Sequence, residues 1–189
     1  MIAARLAAPR RAALLTGLVL AAAVLRALLL PLGDAFSTAI FAACLLGITW
    51  AGASTQVGER VLKRRNAAIA GVAVGVLLLI PVMTGPMSRR PLGDFWSWAA
   101  IAAMVATLEE TAIRGALYRS WLAESGPLAA IGIGAVVFAL IHLPRYGLTA
   151  MPLDLAVGFA LGGLRAVTGR VMPCAIAHTI ADWGAWFWA

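Results

Sequence analysis

Leu108-Glu109-Glu110-Thr111-Ala112-Ile113-Arg114-Gly115 is the stretch whose residue types can do chemistry. It ends an apolar run that starts at Trp96, in a sequence that is 62% hydrophobic and 12% charged. Adjacent carboxylates are costly in that setting. One aspartate at the centre of a membrane helix is disfavoured by roughly 2.5–3.5 kcal/mol on insertion scales. On a helix, Glu110 and Arg114 share a face and can pair. Glu109 is turned about 100° from Glu110 and points elsewhere. One carboxylate is then neutralised by the arginine, and the other is left to accept a proton.

Two further pieces lie on later apolar segments. Phe138-x-x-x-His142 ends one of them, and His178-x-x-x-Asp182 lies in the last. These are the only two histidines in the chain. An isolated interior histidine is most simply a core residue satisfied by hydrogen bonds, and Phe138 by itself is most simply packing. The three pieces together, Glu-Glu-x-x-x-Arg, Phe-x-x-x-His and His-x-x-x-Asn/Asp on successive apolar segments, resemble the CPBP family. That family comprises the type II CAAX prenyl endopeptidases and the bacteriocin-processing enzymes, also called ABI proteases. The resemblance covers roughly residues 95–189.

Hydrolysis of a peptide bond needs a base that takes a proton from water and donors that stabilise the oxyanion. Glu109, free of Arg114, is the expected general base. His142 is expected level with it, because about 11 residues from Glu109 to the turn match about 15 residues back to His142 at roughly 1.5 Å each. It would orient the same water. The resemblance implies the same assignment and makes His178 the oxyanion donor. Many relatives carry Asn where this chain has Asp182. An ionised Asp only accepts hydrogen bonds and would repel an oxyanion, so Asp182 is expected either to stay protonated or, the favoured alternative, to take an N–H of His178 and set its tautomer. Glu110, Arg114 and Phe138 are expected to support the site. Glu124, Asp154, Arg165 and Arg170 are expected at loops or interfaces.

No cofactor is expected. A zinc enzyme would use Glu109, His142 and His178 as ligands, yet the chain has no His-Glu-x-x-His pair of the kind dedicated zinc sites use. A transporter or proton pathway also uses intramembrane Glu and His, but it commonly shows two related halves, and here the polar motifs fall only in the second half. An immunity or scaffold protein that binds peptide without cutting it should lack a member of the set, and the set is complete.

The chain has 189 residues and a mean hydropathy of +0.93, which marks an integral membrane protein. The expected fold is all-α, a single polytopic bundle over 1–189 with about seven crossings and the motif-bearing core at 95–189. The net charge of +7 does not imply nucleic acid, because the basic residues sit in short loops and fit topology and anionic lipid. Cys44 and Cys174 read as small packing residues without a disulfide. The expected helices are 12–30, 35–53, 67–83, 95–121, 127–142, 151–168 and 171–189. Gly71 and Gly75 carry a small-x-x-x-small spacing for close packing, and Arg26 is placed to snorkel. An uncleaved first helix is expected rather than a signal peptide.

Basic residues at Arg5, Arg10, Arg11 and in Glu59–Arg65 put the N-terminus in the cytoplasm and the C-terminus outside, in a plasma membrane. Arg89 and Arg90 oppose that orientation. Trp96 and Trp98, with Trp183, Trp186 and Trp188, support it as an outer aromatic belt. The expected partners are the bilayer and a membrane-associated peptide or protein substrate. One difficulty remains. His178 rises only roughly 10 Å from the preceding turn, so that turn must lie inside the bilayer, where non-helical backbone needs protein cover.

Overall fold

The computed structural model describes residues 8–53, 61–84 and 94–188. Arg5, Glu59, Arg60, Arg89 and Arg90, on which part of the orientation argument rests, lie outside them. The described residues form helices and no strand: α1 (Ala8–Leu29), α2 (Asp34–Gly52), α3 (Arg64–Thr84), α4 (Phe95–Glu110), a π-helical segment (Thr111–Leu117), α5 (Tyr118–Tyr146), α6 (Met151–Thr168) and α7 (Met172–Trp188). The all-α bundle read from the sequence is the observed architecture.

Among the described residues, four stretches are long and apolar enough to cross a membrane: Arg10–Leu32, Asp34–Gly52, Phe95–Tyr146 and Met151–Thr168. The third holds 52 residues, roughly 78 Å at 1.5 Å per residue, well over the ~30 Å of a hydrocarbon core. It is not straight. Gly126 adopts φ 82°, a left-handed value that suits glycine. Pro127 follows it with its fixed φ and missing N–H. The chain doubles back here, at the Ser125-Gly126-Pro127 turn that the sequence marks.

Each neighbouring pair has a specific seam. Arg11 donates to the Ala51 carbonyl (2.8 Å) and Arg26 to Thr38 Oγ1 (3.3 Å), which sets α2 antiparallel to α1. Trp121 Nε1, before the Gly126 turn, donates to Thr16 Oγ1 (3.0 Å), and Arg145, at the far end of the second arm, pairs with Asp34 (2.8 Å), so α5 packs against the α1–α2 pair. Gly71 and Gly75 lie against α7. A Cβ at Gly71 would stand 2.7 Å from the Pro173 carbonyl oxygen, and one at Gly75 3.0 Å from the Ala177 Cα, so these two helices touch backbone to backbone. Asp94 caps α4 by accepting the Ser97 N–H at 2.9 Å. Phe95, Trp98, Trp183 and Trp186 form one aromatic cluster, with Trp98 and Trp186 centroids 4.9 Å apart. The N-terminus of α4 and the C-terminus of α7 therefore share one end of the bundle.

The difficulty over His178 is met by protein cover at the α6–α7 turn. Thr168, Pro173 and Cys174 there are fully buried. The Leu62 N–H donates to the Thr168 carbonyl (3.0 Å), and Arg170 Nε donates to the Leu62 carbonyl (2.8 Å). The backbone groups that a turn leaves open are thus met by the segment ahead of α3. α7 starts beside Gly71, seven residues into α3, about 10 Å along it.

Candidate active site

The two glutamates end α4, and the next seven residues form the π-helix. Short π segments occur often at functional sites. The 95–121 rod expected from the sequence is therefore interrupted at the motif itself. Glu109, Glu110 and Arg114 are all buried, at 3%, 0% and 1% exposure. The Glu110–Arg114 pair forms as the spacing requires, Nη1 to Oε1 at 3.1 Å. Arg114 Nη2 also donates to the Gly158 carbonyl (3.1 Å), and its guanidinium lies 4.7 Å over the Phe138 ring. Phe138 is flanked by both imidazoles, with ring centroids at 4.4 Å to His142 and 5.2 Å to His178.

The two histidines are held from behind in the same way. His142 Nδ1–H donates to the Phe138 carbonyl one turn back (2.8 Å). His178 Nδ1–H donates to Glu110 Oε1 (3.0 Å). With Nδ1 occupied, each ring presents Nε2 forward. Both Nε2 atoms converge on Glu109 Oε2, at 3.8 Å from His142 and 4.0 Å from His178. Those separations are too long for a hydrogen bond and short enough for one bridging atom to reach all three. The arrangement can position a small oxygen species between a carboxylate and two imidazoles.

Asp182 differs from its expected place. Its Oδ1 lies 3.6 Å from Nε2 of His178, beyond hydrogen-bond range, while Glu110 holds Nδ1. The partner that orients His178 is Glu110, brought 68 positions along the chain by the α4–α7 packing. The i,i+4 spacing of His178 and Asp182 could not reveal this.

Of the charges expected at loops or interfaces, Arg170 lies in the α6–α7 turn, whereas Arg165 and Asp154 are drawn into the bundle. Arg165 is 2% exposed, donates Nε to the Arg114 carbonyl (2.8 Å) and stacks over Tyr118 at 4.8 Å. Arg170 clamps the turn described above. Asp154 is half-buried. In sequence these residues sit at the ends of α6, where charges ordinarily meet solvent or headgroups, and only contacts between helices distinguish them. Arg26 donates to Thr38 and lies 4.9 Å over the Phe41 ring, so it packs inward as well as along the helix. Cys44 and Cys174 are both free, and Cys174 Sγ–H donates to the Leu161 carbonyl (3.3 Å).

A buried carboxylate–imidazole cluster lies between helices long and apolar enough to cross a membrane, which marks an integral membrane protein. The model of the family described as type II CAAX prenyl endopeptidase Rce1-like matches residues 91–184. The chain belongs to this protease family. No curated protein and no solved structure matches it.

Proposed function

We propose that this protein is an intramembrane endopeptidase that hydrolyses a peptide bond near a membrane-associated terminus, with Glu109 activating the water. The supporting observation is the division between the two glutamates. Glu110 is engaged by Arg114 and His178, whereas Glu109, among the described residues, has the two forward Nε2 atoms as its partners within 4.0 Å. A water oxygen between these three groups gives its proton to Glu109 and attacks the scissile carbonyl. His142 aligns the water. His178 faces the developing oxyanion and donates to it from Nε2 when protonated, with Glu110 stabilising that charge. Asp182, 3.6 Å away, adds further negative charge beside that imidazole. Proton return to the leaving amine falls to Glu109, which held it.

A second reading keeps the same residues around a zinc ion, because Glu109, His142 and His178 offer three ligand atoms within 4.8 Å of one another. Three protein ligands plus an open position is the pattern of catalytic zinc. The two readings part on chelation. Cleavage by purified protein should survive chelators; cleavage lost on chelation and restored by zinc would overturn the metal-free mechanism.

Access is read from exposure. Glu109 is 3% exposed, while Tyr146, stacked 5.7 Å from His142, is 47% exposed. The site therefore opens toward the end that carries Tyr146, Asp34 and Arg145. Arg10, Arg11, Lys63, Arg64 and Arg65 lie at the opposite end. That asymmetry supports a cytoplasmic N-terminus, an outer C-terminus and seven crossings of the plasma membrane, with substrate entering from the outer half. Reporter fusions at Arg65 and after residue 189 should report opposite sides, and agreement between them would exclude the odd number of crossings that this reading puts between those two points.

A further inference from the structure

The carboxylate of Asp154 has no part in the chemistry above, yet the packing brings it to that site. α5 and α6 are antiparallel and in close contact. A Cβ at Gly158 would lie 2.8 Å from the Ala135 Cα, and one at Gly162 would lie 3.0 Å from the Ile131 side chain. One turn before Gly158 on the same face, Asp154 falls level with Ala139 and the approach to His142. The groups whose charges reach it are His142 on α5, His178 on α7 and Glu109 on α4. Its Oδ2 is enclosed and has no hydrogen-bond partner among the described residues.

The arginines around the site are already committed. Arg114 is held by Glu110 and the Gly158 carbonyl, and Arg145 is held by Asp34. Arg26, whose field reaches Glu109, donates to Thr38. An enclosed carboxylate oxygen without a donor is strongly unfavourable unless something supplies one. A donor delivered with the substrate meets that need, and a site that expects a charged donor rejects analogues lacking it.

We propose that Asp154 is a specificity-determining residue: it receives the ammonium or guanidinium of a basic side chain that the substrate carries close to the scissile bond. This rests on the hydrolytic reading for the identity of the ligand as substrate. The test therefore separates binding from cleavage. The probe is a library of N-acetylated, lipid-anchored peptides randomised at six positions, presented to the full chain in lipid nanodiscs. One pool is sorted by cleavage with the wild-type protein and the other by retention on immobilised Glu109→Gln protein. Lysine or arginine should be enriched about tenfold at one position in both pools, the lower end of what a hydrogen bond to a charged group contributes. Asp154→Asn, nearly isosteric and checked for unchanged thermal unfolding, should erase the enrichment. Asp154→Lys should replace it with Asp or Glu.

Enrichment that persists in Asp154→Asn, or its absence from both pools, overturns the inference. Lysine-selective, Asp154-dependent retention without any cleavage upholds the inference while the hydrolytic reading falls. Cleavage without basic selectivity does the reverse.

Discussion

Glu109→Gln should yield a protein that folds and inserts normally and no longer turns over. Glutamine keeps the size and one carbonyl oxygen of glutamate, so the packing of this 3%-exposed side chain is preserved. What is lost is the ability to hold a proton between the attack on the peptide bond and the departure of the amine. Loss of a positioned base typically lowers the rate on the order of 100- to 10,000-fold. Because Arg114 pairs with Glu110 and His178 keeps its bond to Glu110, neutralising Glu109 leaves both with a counter-charge, and thermal stability should stay near wild type. Turnover and thermal unfolding measured on the same purified sample decide the matter. His142→Ala serves as an inactive companion that removes one of the two facing Nε2 atoms. Near-normal turnover in Glu109→Gln, with loss in a well-folded Glu110→Gln, would reverse the assignment of the two carboxylates.

Glu110→Gln should act in the opposite order, on stability first. It removes the counter-charge of Arg114, which is 1% exposed and has no second carboxylate within ion-pair range among the described residues. Breaking a buried pair from one side costs roughly 3–5 kcal/mol, enough to unfold a marginal protein or collapse its yield. Adding Arg114→Gln removes the stranded charge and should recover part of that stability. The double variant tests a consequence of the structure as well. Glu110 Oε1 accepts from His178 Nδ1 as well as from Arg114, so the double variant should fold better than Glu110→Gln yet remain slow. A neutral amide stabilises a charged imidazole less than a carboxylate does. Full recovery of turnover along with yield would show that Glu110 serves only Arg114. Failure of Arg114→Gln to restore any stability would show that the pair is not what Glu110→Gln breaks.

These two substitutions differ because adjacent residues on a helix face different neighbours, and that much was legible in the amino-acid order. Apolar runs too long for a soluble core specified a helical membrane bundle. The four-residue step from Glu110 to Arg114 specified a pair, since helix periodicity makes i and i+4 neighbours whatever the tertiary context. Matching the lengths on either side of the Gly126–Pro127 turn put Glu109 level with His142, and they lie 3.8 Å apart. The small-x-x-x-small spacing of Gly71 and Gly75 marked a close seam. All of these are local properties or simple counts along a rod.

What stayed hidden depends on groups far apart in the chain. The π-helix at Thr111–Leu117 leaves no mark in the pattern, because seven residues span fewer than two turns and cannot tell a widened turn from the 3.6-residue period. The partner of His178 looked like Asp182, its neighbour by periodicity. Packing of α4 against α7 instead supplied Glu110 at 3.0 Å. The depth of the α6–α7 turn was a difficulty in one dimension, because the cover that Leu62 gives to Thr168 and Arg170 comes from a segment more than a hundred residues away. Arg165 and Asp154 read as terminal charges of α6, and the close contact of Gly158 with Ala135 is what draws that face into the bundle. Sequence periodicity fixes which residues share a helix face; which face meets which is decided by the close-packing of the helices together, and the second carboxylate of this site takes its role from that packing.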